Sequence, residues 1–516
     1  MKNSVRLIYA LAILQFILPF VLVHPYYQLH RDEYLYLAEG HHPAWGFIEV
    51  PPMLSFLAWI IHALGDGIFW IKFWPALLGS FTFIMTARII VSLGGKTFAI
   101  ILGFLPFVLT GYIRLFSFFH PNFLDVFFWT LNAYAIICYI QTGRNKWLYV
   151  LGISIGLGMM SKYSVAFYAV SLLIGLALSS QRKIFLNKHL YFAGLLALLI
   201  MLPNLLWQYD HLFPVVGHMQ ELREEQLQFI SPASFLISQL LMFLPCVFIW
   251  ITGLVFTAFT SDGKPYRLFG WAYISVIILL ILLHGKDYYA IGAYPVLFAF
   301  GAYYLEKLTA SRFKTVRYAF IIIPLVLGLF AYPLLMPVAK PETLAAYYQK
   351  WNFAKTGALR WEDQQDHSLP QDFADMVGWK ETAMKAGKVY QSLSPEEQKK
   401  TLVYCRGYYF AGALNFHRKE AGLPEVYSDN ASFLFWMPEK YNVNNLLLVS
   451  RRIPDKDDIA FQQFEKMTVK DSITDPLFRE NGTKIILFEK ANDSLNTIIE
   501  KGIAKLKSRY QRYPPL

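Results

Sequence analysis

Cysteine is scarce. The 516-residue chain has three, and they form no framework: Cys138 and Cys246 fall in apolar runs and Cys405 stands alone. Neither a disulfide scaffold nor a zinc site follows from that spacing. Charge is scarce too. Asp, Glu, Lys and Arg make up 16 % of the chain, against about 25 % in soluble proteins, which argues against a string of soluble domains. No glycine-rich phosphate loop occurs. Gly152, Gly156 and Gly158 sit inside an apolar helical stretch, where small residues let helices approach closely. No small-residue cleavage site precedes His24, so the apolar run Leu7–Val23 behind Lys2 and Arg6 reads as an uncleaved first helix. The net charge of +11 does not point to nucleic acid, because the cations lie mostly in short loops between apolar runs.

What is abundant is apolar sequence: 55 % hydrophobic, 17 % aromatic, with a mean hydropathy of +0.36. A bilayer core takes roughly 20 apolar residues per helix. Such stretches recur at 6–24, 67–92, 97–113, 122–141, 147–160, 164–180, 190–206, 232–259, 268–284, 289–306 and 317–338. The expected fold is a polytopic α-helical membrane protein of about eleven or more spans. Pro52–Leu64 is too short to cross and reads as re-entrant or interfacial. With the N-terminus cytoplasmic, the inside loops collect Lys96, Arg144, Lys146, Arg182, Lys183, Lys188, Lys264, Arg267, Lys307, Arg312, Lys314 and Arg317. The outside loops hold few cations: Arg31, Arg114, Lys162, Arg223 and Lys286. This asymmetry follows the positive-inside rule and puts the first loop, residues 207–231 and the Lys286 turn on one outer face.

The sequence divides into a membrane domain, 1–339, and a mixed, polar region, 340–516. In the latter, strand-like runs at Thr401–Cys405, Asn445–Ser450 and Lys484–Glu489 alternate with helical patterns. Ser394-Pro-Glu-Glu397 reads as a capping box. A C-terminal soluble α/β domain outside the membrane is expected.

The densest chemistry lies in the loop 24–52, HPYYQLHRDEYLYLAEGHHPAWGFIEVPP, with Asp32, Glu33, Glu39, Glu49, Arg31 and four histidines. Ionisable groups at membrane depth are costly and mark functional sites. Neighbouring residues on a helix point about 100° apart, so Asp32 and Glu33 do not form a shared-proton dyad. One can face the site while the other holds structure or turns to water, and in a partly dry site burial would raise the pKa of a carboxylate towards a general base. Asp125, in HPNFLDVFFW, needs a partner, with Arg114, Lys162 or His120 as candidates; structural pairing and substrate binding both fit. The stretch WQYDHLFPVVGHMQELREEQ offers His211, His218, Arg223 and two glutamates. With Glu49 these could hold a divalent metal, though no ligand spacing is fixed. The turn HGKDYYAIGAYP carries Lys286, Tyr288 and Tyr289, which suits either a phosphate clamp or interfacial anchoring.

DEYLYLAEG after the first span, EVPP opening the next segment, HPNFLDVFFW, GLGMMSKYS, KDYYAIGAYP and LPQDFADMVGWKE together resemble the GT-C superfamily of membrane glycosyltransferases. The likeness is to bacterial relatives of protein O-mannosyltransferases and to the lipid A aminoarabinose transferase, and it runs along most of the chain. It implies transfer of a hexosyl or pentosyl group from a polyprenyl-phosphate-linked donor, without a nucleotide sugar, to a hydroxyl of a protein, lipid or glycan acceptor at the outer face of the plasma (inner) membrane. By that likeness Asp32 matches the general base and Glu33 its acidic neighbour, while Lys286 and Tyr289 match the region meeting the lipid phosphate. No cofactor is firmly implied, and a divalent metal stays open. Val50 follows Glu49 where the lipid A enzyme has a lysine, which shifts the phosphate-binding role towards Lys286, Arg114, Arg223 or a histidine. A flippase for a lipid-linked glycan would place charges midway along helices and show inverted halves; here charges gather at helix ends. A non-enzymatic envelope scaffold would not need the acidic loop.

Overall fold

The structure, a computed structural model, describes residues 2–225, 227–311, 313–454 and 458–512. Arg312, one of the loop cations, lies outside them. All eleven apolar stretches are helical. The chain opens with α1 (Lys2–Leu22), then two short helices, α2 (Arg31–His41) and α3 (Met53–Ala63). The bundle continues through α4 (Ile68–Ser92), α5 (Thr97–Leu109), the single turn α6 (Gly111–Leu115), α7 (Pro121–Thr142), α8 (Lys146–Met159), α9 (Val165–Ala177) and α10 (Lys188–Asp210). It ends with α11 (Pro214–Glu225), α12 (Pro232–Leu241), α13 (Val247–Phe259), α14 (Arg267–Leu282), α15 (Tyr294–Leu308) and α16 (Val316–Leu335).

Among the described residues six helices are long and apolar enough to cross a membrane, or eight if two bent pairs each count as one span. The remainder are shorter for a physical reason. Thirteen residues in α5 rise only about 20 Å, short of the roughly 30 Å hydrocarbon core. Proline and glycine shape the bundle. Pro121 opens α7, and Gly143, with φ of 64°, closes it. The glycines of α8 face α10: a side chain at Gly156 would come within 2.8 Å of Ile200, and one at Gly152 would collide with the Ala193 carbonyl. Close helix packing, not nucleotide binding, explains them.

Beyond α16 come α17 (Pro341–Lys350), α18 (Gln371–Ala374), α19 (Trp379–Gln391), α20 (Pro395–Lys399), β1 (Thr401–Cys405), α21 (Tyr408–Phe416), α22 (Arg418–Ala421), β2 (Val426–Tyr427), α23 (Phe433–Trp436), β3 (Asn445–Ser450), β4 (Phe464–Ser472), β5 (Lys484–Ala491) and α24 (Ser494–Ser508). The sheet runs β2-β1-β3-β5-β4, parallel across β2, β1 and β3 and antiparallel across β5 and β4. β3 is buried at every position, as a central strand between helical layers should be. The capping box forms at Ser394, whose hydroxyl accepts from the Glu397 N–H.

One core joins the two parts. Tyr34 of α2 is fully buried between Trp379, 6.0 Å away ring to ring, and Phe416 at 5.5 Å. Gly412 of α21 lets the helices meet, since a side chain there would come within 2.9 Å of the Tyr34 backbone. The first loop is therefore clamped between the bundle and the C-terminal domain.

Candidate active site

The clamp begins at the start of α2. His30 caps the helix, its Nδ1 accepting from the Asp32 N–H at 3.3 Å. Glu33 returns the bond, one carboxylate oxygen accepting from the His30 N–H at 2.7 Å. Its other oxygen accepts from the Phe119 N–H, also at 2.7 Å. Burial raises the Glu33 carboxyl's pKa, and the two backbone donors pull against that rise. Glu33 thus ties α2 to the segment that leads into α7.

Asp32 turns the other way, as the 100° step requires. Oδ1 accepts from the Tyr408 hydroxyl at 2.7 Å and from Arg31 Nε at 3.4 Å. Oδ2 lies 3.7 Å from His120 Nε2 and 3.9 Å from His30 Nδ1. Burial alone would raise this carboxyl. The His120 contact and the fields of His30 and Arg31 overcome it and hold Asp32 well below the usual carboxylate range. The rise expected from burial therefore holds for Glu33, while the contacts to His120, His30 and Arg31 lower Asp32.

The C-terminal domain closes the ring. Asp375, 1 % exposed, meets Arg479 at 2.8 Å, His30 at 3.6 Å and Arg31 at 3.9 Å. Its carbonyl accepts from the Arg31 N–H at 3.1 Å and from the Trp379 indole at 2.7 Å. Arg479 continues to Glu362 at 2.8 Å, and Glu362 reaches Lys286 at 4.0 Å. Charges alternate along this chain from Arg31 to Lys286.

Lys162, in the turn after α8, forms the opposite wall. Its ammonium donates to Asn122 at 2.6 Å and lies 4.7 Å from the Tyr289 ring centre and 5.4 Å from that of Tyr288. Burial lowers its pKa; Asp125 opposes the fall and Lys286 adds to it. Asp125, 2 % exposed in α7, keeps one carboxylate oxygen without a hydrogen-bond partner. Tyr288 lies within the field of Asp32, and its ring and that of Tyr289 meet Lys162.

The structure gathers Asp32, Lys286, Tyr289 and Asp125 around this centre, with Glu33 behind it. The other candidates are engaged by other partners or exposed. Arg114 is engaged by the Leu334 and Leu335 carbonyls, by Asp372 at 2.5 Å and by the Phe373 ring. Glu49 accepts from the Ser432 N–H and hydroxyl at 2.8 and 2.6 Å, pinning the loop to α23. His211 stacks on Trp207 at 4.0 Å and bonds its carbonyl. Arg223 is exposed on α11. No group of three or more His, Cys, Asp or Glu among the described residues is placed to hold a metal ion. Sequence reasoning missed Tyr408, Asp375 and Arg479. For Asp375 the signal was present in LPQDFADMVGWKE; Tyr408 had none, since its role depends on packing across the chain.

Residues 49–207 match the family profile described as dolichyl-phosphate-mannose-protein mannosyltransferase. No curated protein matches the chain. The crystal structure of ArnT from Cupriavidus metallidurans bound to undecaprenyl phosphate overlays with a TM-score of 0.62 at 13 % identity, covering 94 % of this chain and 98 % of that one. The fold is that of the ArnT structure. The apo form of the same ArnT overlays at 0.59, with the same identity and coverage. Archaeal AglB from Archaeoglobus fulgidus reaches only 0.48 at 11 % identity over 86 % of this chain and 69 % of that one, too distant to carry weight. In this fold α2 packs against α21 of the C-terminal domain, and Glu362 of that domain reaches Lys286 at 4.0 Å.

Proposed function

We propose that this protein is an integral-membrane glycosyltransferase that moves a sugar from a polyprenyl-phosphate donor to an acceptor hydroxyl at the outer face of the membrane. Asp32 acts as general base. The acceptor oxygen attacks the anomeric carbon while the bond to the phosphate oxygen breaks, and polyprenyl phosphate leaves with the electron pair, normally with inversion. As the new bond forms, the attacking hydroxyl becomes an oxonium, a strong acid. A carboxylate of low proton affinity is then sufficient to take its proton.

The observations that carry this reading are Asp32 held by Tyr408 at 2.7 Å and lying 3.7 Å from His120, Lys162 set against the rings of Tyr288 and Tyr289, and Lys286 linked to the Asp32 surroundings through Glu362, Arg479, Asp375 and Arg31. Preorganised cations stabilise the charge that develops on a leaving phosphate. The sequence match to a mannosyltransferase family and the overlay on a structure holding undecaprenyl phosphate support a lipid-phosphate donor. The exposed apolar faces of the bundle helices suit its tail, and the distribution of loop cations supports an outer location for the site and the C-terminal domain.

The test is a deletion strain examined by mass spectrometry of polyprenyl-linked sugars and envelope glycans. An accumulating donor and a missing sugar are expected, and together they name both substrates. Purified Asp32→Asn protein is expected to bind donor and fail to transfer; full transfer by that variant would remove the proposed base.

A further inference from the structure

The two oxygens of Asp32 are not equivalent. Oδ1 is occupied by the Tyr408 hydroxyl at 2.7 Å and by Arg31 at 3.4 Å. Oδ2 has only the longer contacts to His120 and His30, at 3.7 and 3.9 Å. Tyr408 is itself held from behind. Arg31 Nη2 donates to its oxygen at 3.3 Å, which leaves the hydroxyl hydrogen to point at Asp32. The Tyr408 N–H donates to Asn430 at 3.1 Å, and the residue sits in the first turn of α21, whose Gly412 seats that helix against α2.

We infer that Tyr408, carried by the C-terminal domain, is a positioning residue for the proposed base: it ties down one oxygen of Asp32 and so presents the other to the acceptor hydroxyl. The inference rests on the glycosyltransferase reading and adds that the C-terminal domain completes the acid–base centre instead of merely covering it. A carboxylate held at one oxygen loses the rotation that would otherwise spread Oδ2 over several directions, and orientation of this kind is a large part of catalysis. The same bond favours the charged carboxylate. The other groups facing Asp32 are the cap His30, Arg31 and Tyr36 of α2, His120 before α7, Tyr288 in the Lys286 turn, and Asp372 and Asp375 from the C-terminal domain. All of them remain when only the Tyr408 hydroxyl is removed.

The experiment compares full-length wild type, Tyr408→Phe and Asp32→Asn in nanodiscs. The donor is the lipid-sugar extract of the deletion strain and the acceptor its own envelope fraction. Tyr408→Phe is expected to keep the melting temperature and the half-saturating donor level, lower the turnover rate about 10- to 100-fold, as loss of a hydrogen bond to a charged group does, and move the acid limb of the rate upward in pH. The direction follows from the sign: without the hydroxyl, the carboxylate loses a donor that favours its ionised form. An inactive Asp32→Asn beside a Tyr408→Phe of wild-type rate and limb overturns the positioning role and leaves the base intact. A rate loss accompanied by a lower melting temperature and an unmoved limb also overturns it, because that is what a purely structural contact would give. Transfer by Asp32→Asn removes the base and this inference with it.

Discussion

The two walls of the site are built differently. On the Asp32 wall each group is held by several others: Asp32 by Tyr408 and Arg31, Asp375 by Arg479 and two neighbours on α2. On the lysine wall the cations are held lightly. Lys162 has one amide oxygen and two ring faces, and Lys286 has one carboxylate at 4.0 Å. The difference fits the tasks proposed. A base must be aimed before substrate arrives, while a cation that will receive a phosphate keeps its best partner position open. Rigidity comes from the C-terminal domain, and the adaptable charges come from the bundle.

This contrast can be broken in graded steps. The largest effect is expected from Asp32→Asn, about 10²–10⁴-fold in turnover with donor affinity retained, the range for loss of acid–base catalysis; single-turnover transfer and donor binding separate the two. Next is Lys162→Ala, expected to weaken donor binding about 10- to 100-fold through loss of a charge-assisted bond to phosphate, readable as retention of undecaprenyl phosphate in native mass spectrometry. Unchanged retention would remove Lys162 from the phosphate site. Asp375→Asn acts on structure more than chemistry: it leaves Arg479 with Glu362 as its carboxylate partner, and a loss of about 2 kcal/mol, that of a hydrogen bond between charged groups, is expected in thermal unfolding. Lys286→Ala should weaken donor binding only a few-fold, because its side chain is partly exposed and its one partner is at long range. An effect as large as that of Lys162 would mean that the lysine wall is as ordered as its opposite.

The pH dependence sharpens the same point. The folded-state pKa of Asp32 is depressed, so its ionised form, and the stability that ionisation contributes, persists above the ordinary carboxylate range. The ionised form is lost only as pH falls through the lower folded value, while the stability it contributes falls progressively between the ordinary value and that one. The acid limb of wild-type activity is therefore expected below the usual aspartate range; a limb above it would point to another group.

Much of this was legible in the sequence because apolar runs and loop charges are local signals. The eleven helical stretches and strands β1, β3 and β5 were marked by composition alone. β4 escaped because it is an edge strand with charge on both faces, FEKMTVKDS, and most of its positions are exposed; it lacks the apolar run that marks a strand. β2 is two residues long. In the site, Asp32 and the Lys286 turn stood out by density of charge. Arg114 did not behave as a free cation, because α16 and α18, remote in sequence, supply its partners. Tyr408 carried no signal, since one tyrosine among 32 is distinguished only by what it meets.

The bond between Asp32 and Tyr408 spans 376 positions, which gives it a consequence for biogenesis. At about 5–20 residues per second, Asp32 leaves the ribosome roughly 20 to 75 s before Tyr408. During that interval the membrane helices can insert and meet lipid-linked sugar while the loop lacks its clamp. Assembly of the last third of the chain then acts as a commissioning step. On the proposed reading, a chain still being inserted holds its base without an aim, and it becomes competent only when synthesis has delivered the domain that fixes the angle.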